Sequence, residues 1–292
     1  MAEQFQNFAG TADYIASDDL MNSVNIARVL GRPLLIKGEP GTGKTMLAKS
    51  ISEGLKMELY IWNIKSTTKA QDGLYVYDTV QRLYDSQFKD HDVSDISQYI
   101  RFGKLGEAFQ ADEPVVLLID EIDKADLEFP NDLLWELDVM SFYIPETGLT
   151  VTAKHRPIVI ITSNAEKELP DAFLRRCVFH YISFPDPPMM KEIVRVHHPD
   201  LDDKLIKEAM EAFYWIRTMD TLQKKPSTSE LIDWVQALTV GGVKLEKIRK
   251  EIPLLGVLLK KNQDFEVILK RLGMPDAGQS AKSRPSIQTF WR

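Results

Sequence analysis

Five short apolar runs punctuate the first two thirds of the chain, each handing over to polar or small residues: Pro33 to Ile36, Met57 to Asn63, Val115 to Ile119, Ile158 to Ile161 and Val178 to Phe184. Runs of this length predict strands, and where the apolar residues are consecutive they predict strands covered on both faces. Between them the period lengthens. Leu20, Val24 and Ala27 recur at helical spacing behind Ser17, an N-cap followed by Asp18 and Asp19, and that helix closes at Gly31 with Pro33 beyond. Leu47, Ile51 and Leu55 mark a second helix and Gly103 to Gln110 a third; Leu133, Leu134, Leu137 and Met140 mark another behind Pro130. Phe142 to Val151 reads as a hairpin with Thr147-Gly148 at its tip. Strands alternating with helices predict an α/β fold with a five-stranded parallel sheet flanked by helices.

Residues 64–100 keep no single period, and we expect short helices with a hairpin or loop there, either a surface for partners or an idle excursion of the chain. Past the stiff connector Pro185-Asp186-Pro187-Pro188 the pattern is helical throughout, without a convincing strand. The expected organisation is therefore a flexible N-terminus (1–12), an α/β domain (13–185), a small all-α domain (186–272) and a disordered tail (273–292) ending near Phe290-Trp291.

Chemistry enters at the ends of the predicted strands. Directly after the first comes Gly38-Glu39-Pro40-Gly41-Thr42-Gly43-Lys44-Thr45, which fits G-x-x-x-x-G-K-[ST], the P-loop. Its glycines allow positive φ and bring backbone N–H groups against phosphate oxygens. Lys44 would reach the β and γ phosphates and Thr45 would offer a hydroxyl to Mg²⁺, while the helix running on through Met46 directs its positive end at the same charge. The third run ends in Asp120-Glu121, a pair costly to leave unheld beside a buried strand. It suits a Mg²⁺ bound through water to Asp120 and a water polarised by Glu121; the plainer alternative is a strand that surfaces there. Asn164, closing the fourth run, is placed to orient a water beside a γ phosphate or to make an ordinary turn. Tyr14-Ile15 forms an apolar corner that would flank an adenine ring or close a core edge.

Composition narrows the partners. The 292 residues carry a net charge of -7 with pI about 5.4, so no global positive field draws in nucleic acid. No stretch approaches a membrane span and the start lacks a basic leader region, from which we expect a cytoplasmic protein. Cys177, the one cysteine, cannot form an internal disulfide.

Taken in order, strand and P-loop, strand and Asp-Glu, strand and Asn, an Arg-bearing helix and a helical lid resemble the AAA+ ATPases over about residues 14–272. Asp120-Glu121-Ile122-Asp123-Lys124-Ala125, the hairpin before Ile158 and Leu169-Pro170-Asp171-Ala172 leading to Arg176 look like the MoxR group, including its CoxD-like members. The resemblance implies that residues 13–185 bind ATP and ADP with Mg²⁺ and that 186–272 are the lid. By the same likeness Lys44 and Thr45 take the Walker A parts, Asp120 and Glu121 the Walker B metal-side and catalytic carboxylates, and Asn164 that of sensor 1. Arg176, with Arg175 beside it, stands where the group keeps an arginine finger for the neighbouring subunit. Asn63 resembles a polar residue that restrains the catalytic Glu in some relatives. Where relatives carry a sensor 2 arginine this chain has Glu230, so either that carboxylate points away or Lys224 or Lys225 supplies the charge. The likeness further implies a ring, expected as a hexamer, that remodels a protein client, with a von Willebrand factor A domain protein as adaptor. The rival readings are a nucleic-acid motor on the same core and a nucleotide-gated scaffold with little turnover.

Overall fold

A computed structural model of the chain describes residues 7–88 and 93–274. It divides into two compact units, residues 1–39 with 43–184 and residues 40–42 with 185–292. In the first, five parallel strands form the central sheet: β1 (Leu34–Gly38), β2 (Glu58–Asn63), β3 (Val115–Asp120), β4 (Ile158–Ser163) and β5 (Val178–Ile182). Their spatial order is β2-β3-β4-β1-β5, so the chain leaves β1 and skips over two positions before laying down β2. All five strands point the same way, and the turn after β1 and the ends of β3 and β4 therefore emerge at one edge, where open α/β sheets gather ligands.

The consecutive apolar runs sort themselves across the sheet by the period of two. Leu117, Ile119, Val159 and Ile161 join a core with Trp62, Phe109, Phe142 and Phe173. Val116, Leu118, Ile160, Leu34 and Ile36 face the other way, onto α1 (Asp18–Leu30) and α2 (Lys44–Leu55). Each such side chain, fully buried, contributes about 1.5–3 kcal/mol, which is what holds an otherwise polar-ended sheet flat between two layers. Helix α1 starts as its sequence suggests, with the Ser17 side chain accepting from Leu20 N, and ends at Gly31 in the left-handed conformation.

Between β2 and β3 the chain forms a short helix, Ala70–Leu74, a helix Thr79–Phe88 and a two-stranded antiparallel pairing of Tyr75–Tyr77 with Ile100–Phe102, before α3 (Lys104–Gln110) returns to the sheet. The hairpin of Ser141–Ile144 with Leu149–Thr152 precedes β4. In the second unit the described residues contain helices and no strand, chiefly α4 (Pro187–His197), α5 (Asp203–Arg217), α6 (Thr228–Val240) and α7 (Asn262–Arg271). Their buried faces supply Met190, Val194, Ile206, Phe213, Leu231, Trp234 and Ile268. Among the described residues no helix is long and apolar enough to cross a membrane.

Within the described part of 1–12 one side chain is anchored. Phe8 is only 3% exposed and joins the α1/α2 core, while Asn25 brackets its backbone, accepting from Phe8 N at 2.9 Å and donating to Phe8 O at 3.0 Å. One aromatic ring with a core to enter outweighs the polar residues around it. The tail with Phe290-Trp291 lies outside the described residues.

Gly73 shows how tightly the insertion seats on the sheet. A Cβ there would stand 2.2 Å from Cη2 of Trp62, whose ring packs edge-on against Phe129. Gly73→Ala is expected to lower stability by about 1–3 kcal/mol, read from the chemical denaturation midpoint, because the ring has no empty space to move into.

Candidate active site

The turn after β1 carries its glycines in the conformations that only they adopt cheaply: Gly41 at φ 77° and Gly43 at φ 85°. Gly43 is the N-cap of α2 and supplies no side-chain cap, so the first N–H groups of a 12-residue helix are left for something outside the helix to accept. A Cβ on Gly43 would come within 3.2 Å of the Tyr14 ring, which places Tyr14 beside the turn as well as against the α1/α2 core. Burial pushes the Tyr14 hydroxyl well above the usual tyrosine range. Ile15 is half-buried next to it, Pro40 is exposed, Thr42 is buried and Met46 is 41% exposed on α2.

Lys44 folds back over the turn. Its Nζ donates to Gly38 O at 2.9 Å and Glu39 O at 2.8 Å, and only 7% of the residue is exposed. Burial pulls the ammonium below the ordinary lysine value, against the opposing pull of Asp120, Asp123, Glu121 and Glu39. The carbonyl dipoles and the surrounding carboxylates offset the cost of burying the ammonium.

The carboxylates themselves are gathered by a set of cross-strand bonds. Asp120 accepts from Thr45 Oγ1, 3.1 Å to each oxygen, and from Thr162 Oγ1 at 2.6 Å. Thr162 in turn accepts the backbone N–H of Glu121 at 2.8 Å. Glu121 leaves the strand in the left-handed conformation, φ 59°, which turns its side chain toward the end of β4. There Oε1 accepts from Asn164 Nδ2 at 2.9 Å, and Oε2 pairs with Lys124, whose ammonium that contact pushes above its usual value. Asp123, 2% exposed, accepts Glu166 N at 2.9 Å and Asn164 N at 3.3 Å and so fixes the loop that presents Asn164.

Lys44, Thr45, Asp120, Glu121 and Asn164 thus meet at one sheet edge. Asn63 sits opposite Asp120 in register and is exposed. Arg175 and Arg176 belong to a different surface: both are exposed, and Arg176 donates Nε to Asp138 at 2.5 Å and Nη1 to Ala172 O at 2.9 Å. Cys177 has its thiol pKa pushed up to about 12, first by burial and then by Asp138, which leaves it inert as a nucleophile. In the second unit Glu230 is 8% exposed and occupied, accepting Ser227 N at 2.7 Å and pairing with Lys224 at 3.2 Å, while Lys225 pairs with Asp220 at 3.3 Å.

The donor set fits a hard divalent cation. A hydroxyl and a carboxylate within 3.1 Å of each other, both oxygen ligands, are what Mg²⁺ takes when phosphate and water complete its shell. Sequence reasoning did not assign roles to Thr162, Asp123 or Lys124. Thr162 follows a buried apolar run and Asp123 follows Ile122, but their partners lie 41 to 43 positions away along the chain.

A profile of the family described as "ATPase family associated with various cellular activities (AAA)" matches residues 34–185. Similar proteins include a putative 26S proteasome regulatory subunit homolog of Methanothermobacter thermautotrophicus, 28% identical over 207 residues, 61% of this chain and 49% of that one. The uncharacterized protein YojN of Bacillus subtilis is 27% identical over 212 residues, 70% of this chain and 66% of its own. Fidgetin-like protein 1 of Drosophila melanogaster is 26% identical over 219 residues, 68% and 36% respectively. The chain thus spans about half the length of the first of these relatives.

Replacing Asp123 by Ala should strip the acceptor from two backbone donors in the Asn164 loop. The expected cost is about 1–3 kcal/mol, seen as a lower Tm together with faster amide exchange at Glu166.

Proposed function

Because the chain belongs to the AAA family of ATPases, we propose that it binds ATP with Mg²⁺ at the β1–α2 turn and hydrolyses it to ADP and phosphate, working as a ring that remodels a protein client. The observation that carries this reading is the meeting of Lys44, Thr45, Asp120, Glu121 and Asn164 at one sheet edge, from three separate stretches of chain. The N–H groups of the turn and the Lys44 ammonium would cradle the phosphates. Thr45 and, through water, Asp120 would hold Mg²⁺, which when bound neutralises charge on the β and γ phosphates. Glu121 would take a proton from the attacking water, and Asn164, already bonded to that carboxylate, would keep water and base aligned. Tyr14 and Ile15 are the apolar pair offered to the adenine.

Arg176 is the group we assign to the neighbouring copy's site, with Arg175 beside it. Its bond to Asp138 is a half-exposed ion pair, and such pairs are worth roughly 0–1 kcal/mol, so exchanging Asp138 for a phosphate costs little. An arginine delivered in trans contributes about 10³–10⁵ in kcat where it acts, which makes a ring, most simply a hexamer, part of the chemistry. Within the family, the Asp120 to Ala125 run, the hairpin before β4 and Leu169 to Arg176 support membership of the MoxR group, CoxD-like members included. A client such as a metalloenzyme under assembly, met through a von Willebrand factor A domain adaptor, follows from that grouping. The name of one similar protein, a putative 26S proteasome regulatory subunit homolog, supports work on protein over nucleic acid.

Two outcomes test the reading. ATPase rate per subunit should climb steeply with protein concentration as rings assemble, and a flat dependence would remove the shared site. Glu121→Gln should bind ATP with near wild-type affinity in a filter or calorimetric assay while turning over about 10²–10⁴-fold more slowly; unchanged phosphate release would take Glu121 out of the mechanism.

A further inference from the structure

We propose that the Thr162 hydroxyl is the positioning group that sets the two reaction-edge carboxylates relative to each other, and through Asp120 sets the affinity of the site for its divalent cation. The proposal rests on the nucleotide-site reading above. Thr162 lies in β4, between β3 and β1, and is completely buried. A threonine hydroxyl has one proton to give, and the polarity of its bonds here is fixed by its neighbours. Asp120 can only accept and the Glu121 amide can only donate, so the proton goes to Asp120 Oδ1 at 2.6 Å and the oxygen receives Glu121 N–H at 2.8 Å. The first bond has the length of a charge-assisted O–H···O⁻ contact. The second fixes the peptide group from which Glu121 departs into its left-handed turn.

One buried hydroxyl therefore joins the metal-side carboxylate to the backbone of the catalytic one. Thr45 also donates to Asp120, but its residue is exposed and its oxygen is the one offered to the cation. A hydroxyl that ligates a metal through an oxygen lone pair keeps its proton to give, so Thr45 and Thr162 would aim the carboxylate together, Thr162 being the buried one of the two donors. Partners of a residue bound directly to a metal are worth about 10–100-fold in metal affinity, which sets the upper bound for a donor to Asp120, whose link to the cation runs through water.

The test compares Thr162→Val, which keeps shape and loses the hydroxyl, with Thr162→Ser, which keeps the hydroxyl. Binding of ADP to the full-length protein is followed by calorimetry across a Mg²⁺ titration and again with the metal chelated. Thr162→Val should raise the half-saturating Mg²⁺ concentration by more than about threefold and up to about 10–100-fold and leave metal-free ADP affinity within about twofold, while Thr162→Ser stays within about threefold of wild type in both. Thr162→Ala serves in place of the Val variant if that protein fails to fold, with the same expected shift. An unchanged Mg²⁺ midpoint in the variants lacking the hydroxyl overturns the proposal, as does a Ser variant as impaired as the Val one, which would assign the effect to the methyl group. Wild type showing no Mg²⁺-dependent ADP binding would instead overturn the reading of the site itself.

Discussion

A parallel sheet covered on both faces can carry charge only at its ends, and there the charge must be held. Asp120 and Glu121 stand at the end of a strand whose preceding five residues are all buried. What keeps them in place is a small lattice of donors drawn from other strands and turns: Thr45 and Thr162 on Asp120, Asn164 and Lys124 on Glu121. Loss of any one donor leaves a carboxylate to find water or a cation instead, so the same bonds that stabilise the edge also determine what it can bind.

That dependence explains the division of labour around β4. Its first residues, Val159, Ile160 and Ile161, are packing alone, whereas Thr162, Ser163 and Asn164 each make a polar bond: to Asp120, to the Ala165 amide and to Glu121. Asp123 answers from the other side by accepting two amides of the loop after β4. The edge is braced in both directions between β3 and β4, the two strands at the middle of the sheet's order.

Much of this was legible before any coordinates. The five strands, the two-faced burial, the α1 cap at Ser17 and the hairpin before β4 follow from period and cap chemistry, because these are local and leave their mark within about ten residues. Lys44, Thr45 and the Asp120-Glu121 pair were legible because their motif is local too. What stayed hidden depends on which strand lies beside which. Thr162 meets Asp120 only because β4 pairs with β3, and nothing in Ile160-Ile161-Thr162 announces that register. Phe8 leaves no signal for the same reason: the core that takes it is built from α1 and α2, far along the chain. Glu230, which departs from the arginine of the resembling proteins, bonds to Ser227 and Lys224 at the start of its own helix, a contact that the motif does not announce.

Two non-glycine residues at this edge, Glu121 and Ala165, are held at φ 59° and φ 60°. Such conformations are tolerated at roughly 1–3 kcal/mol each only where the surroundings over-determine them. Anyone seeking a hardier variant for industrial or structural use would find these two positions tempting to relax. They are the wrong ones to touch, since the tension there sets where the reactive side chain points, and robustness is better sought in the outer helices.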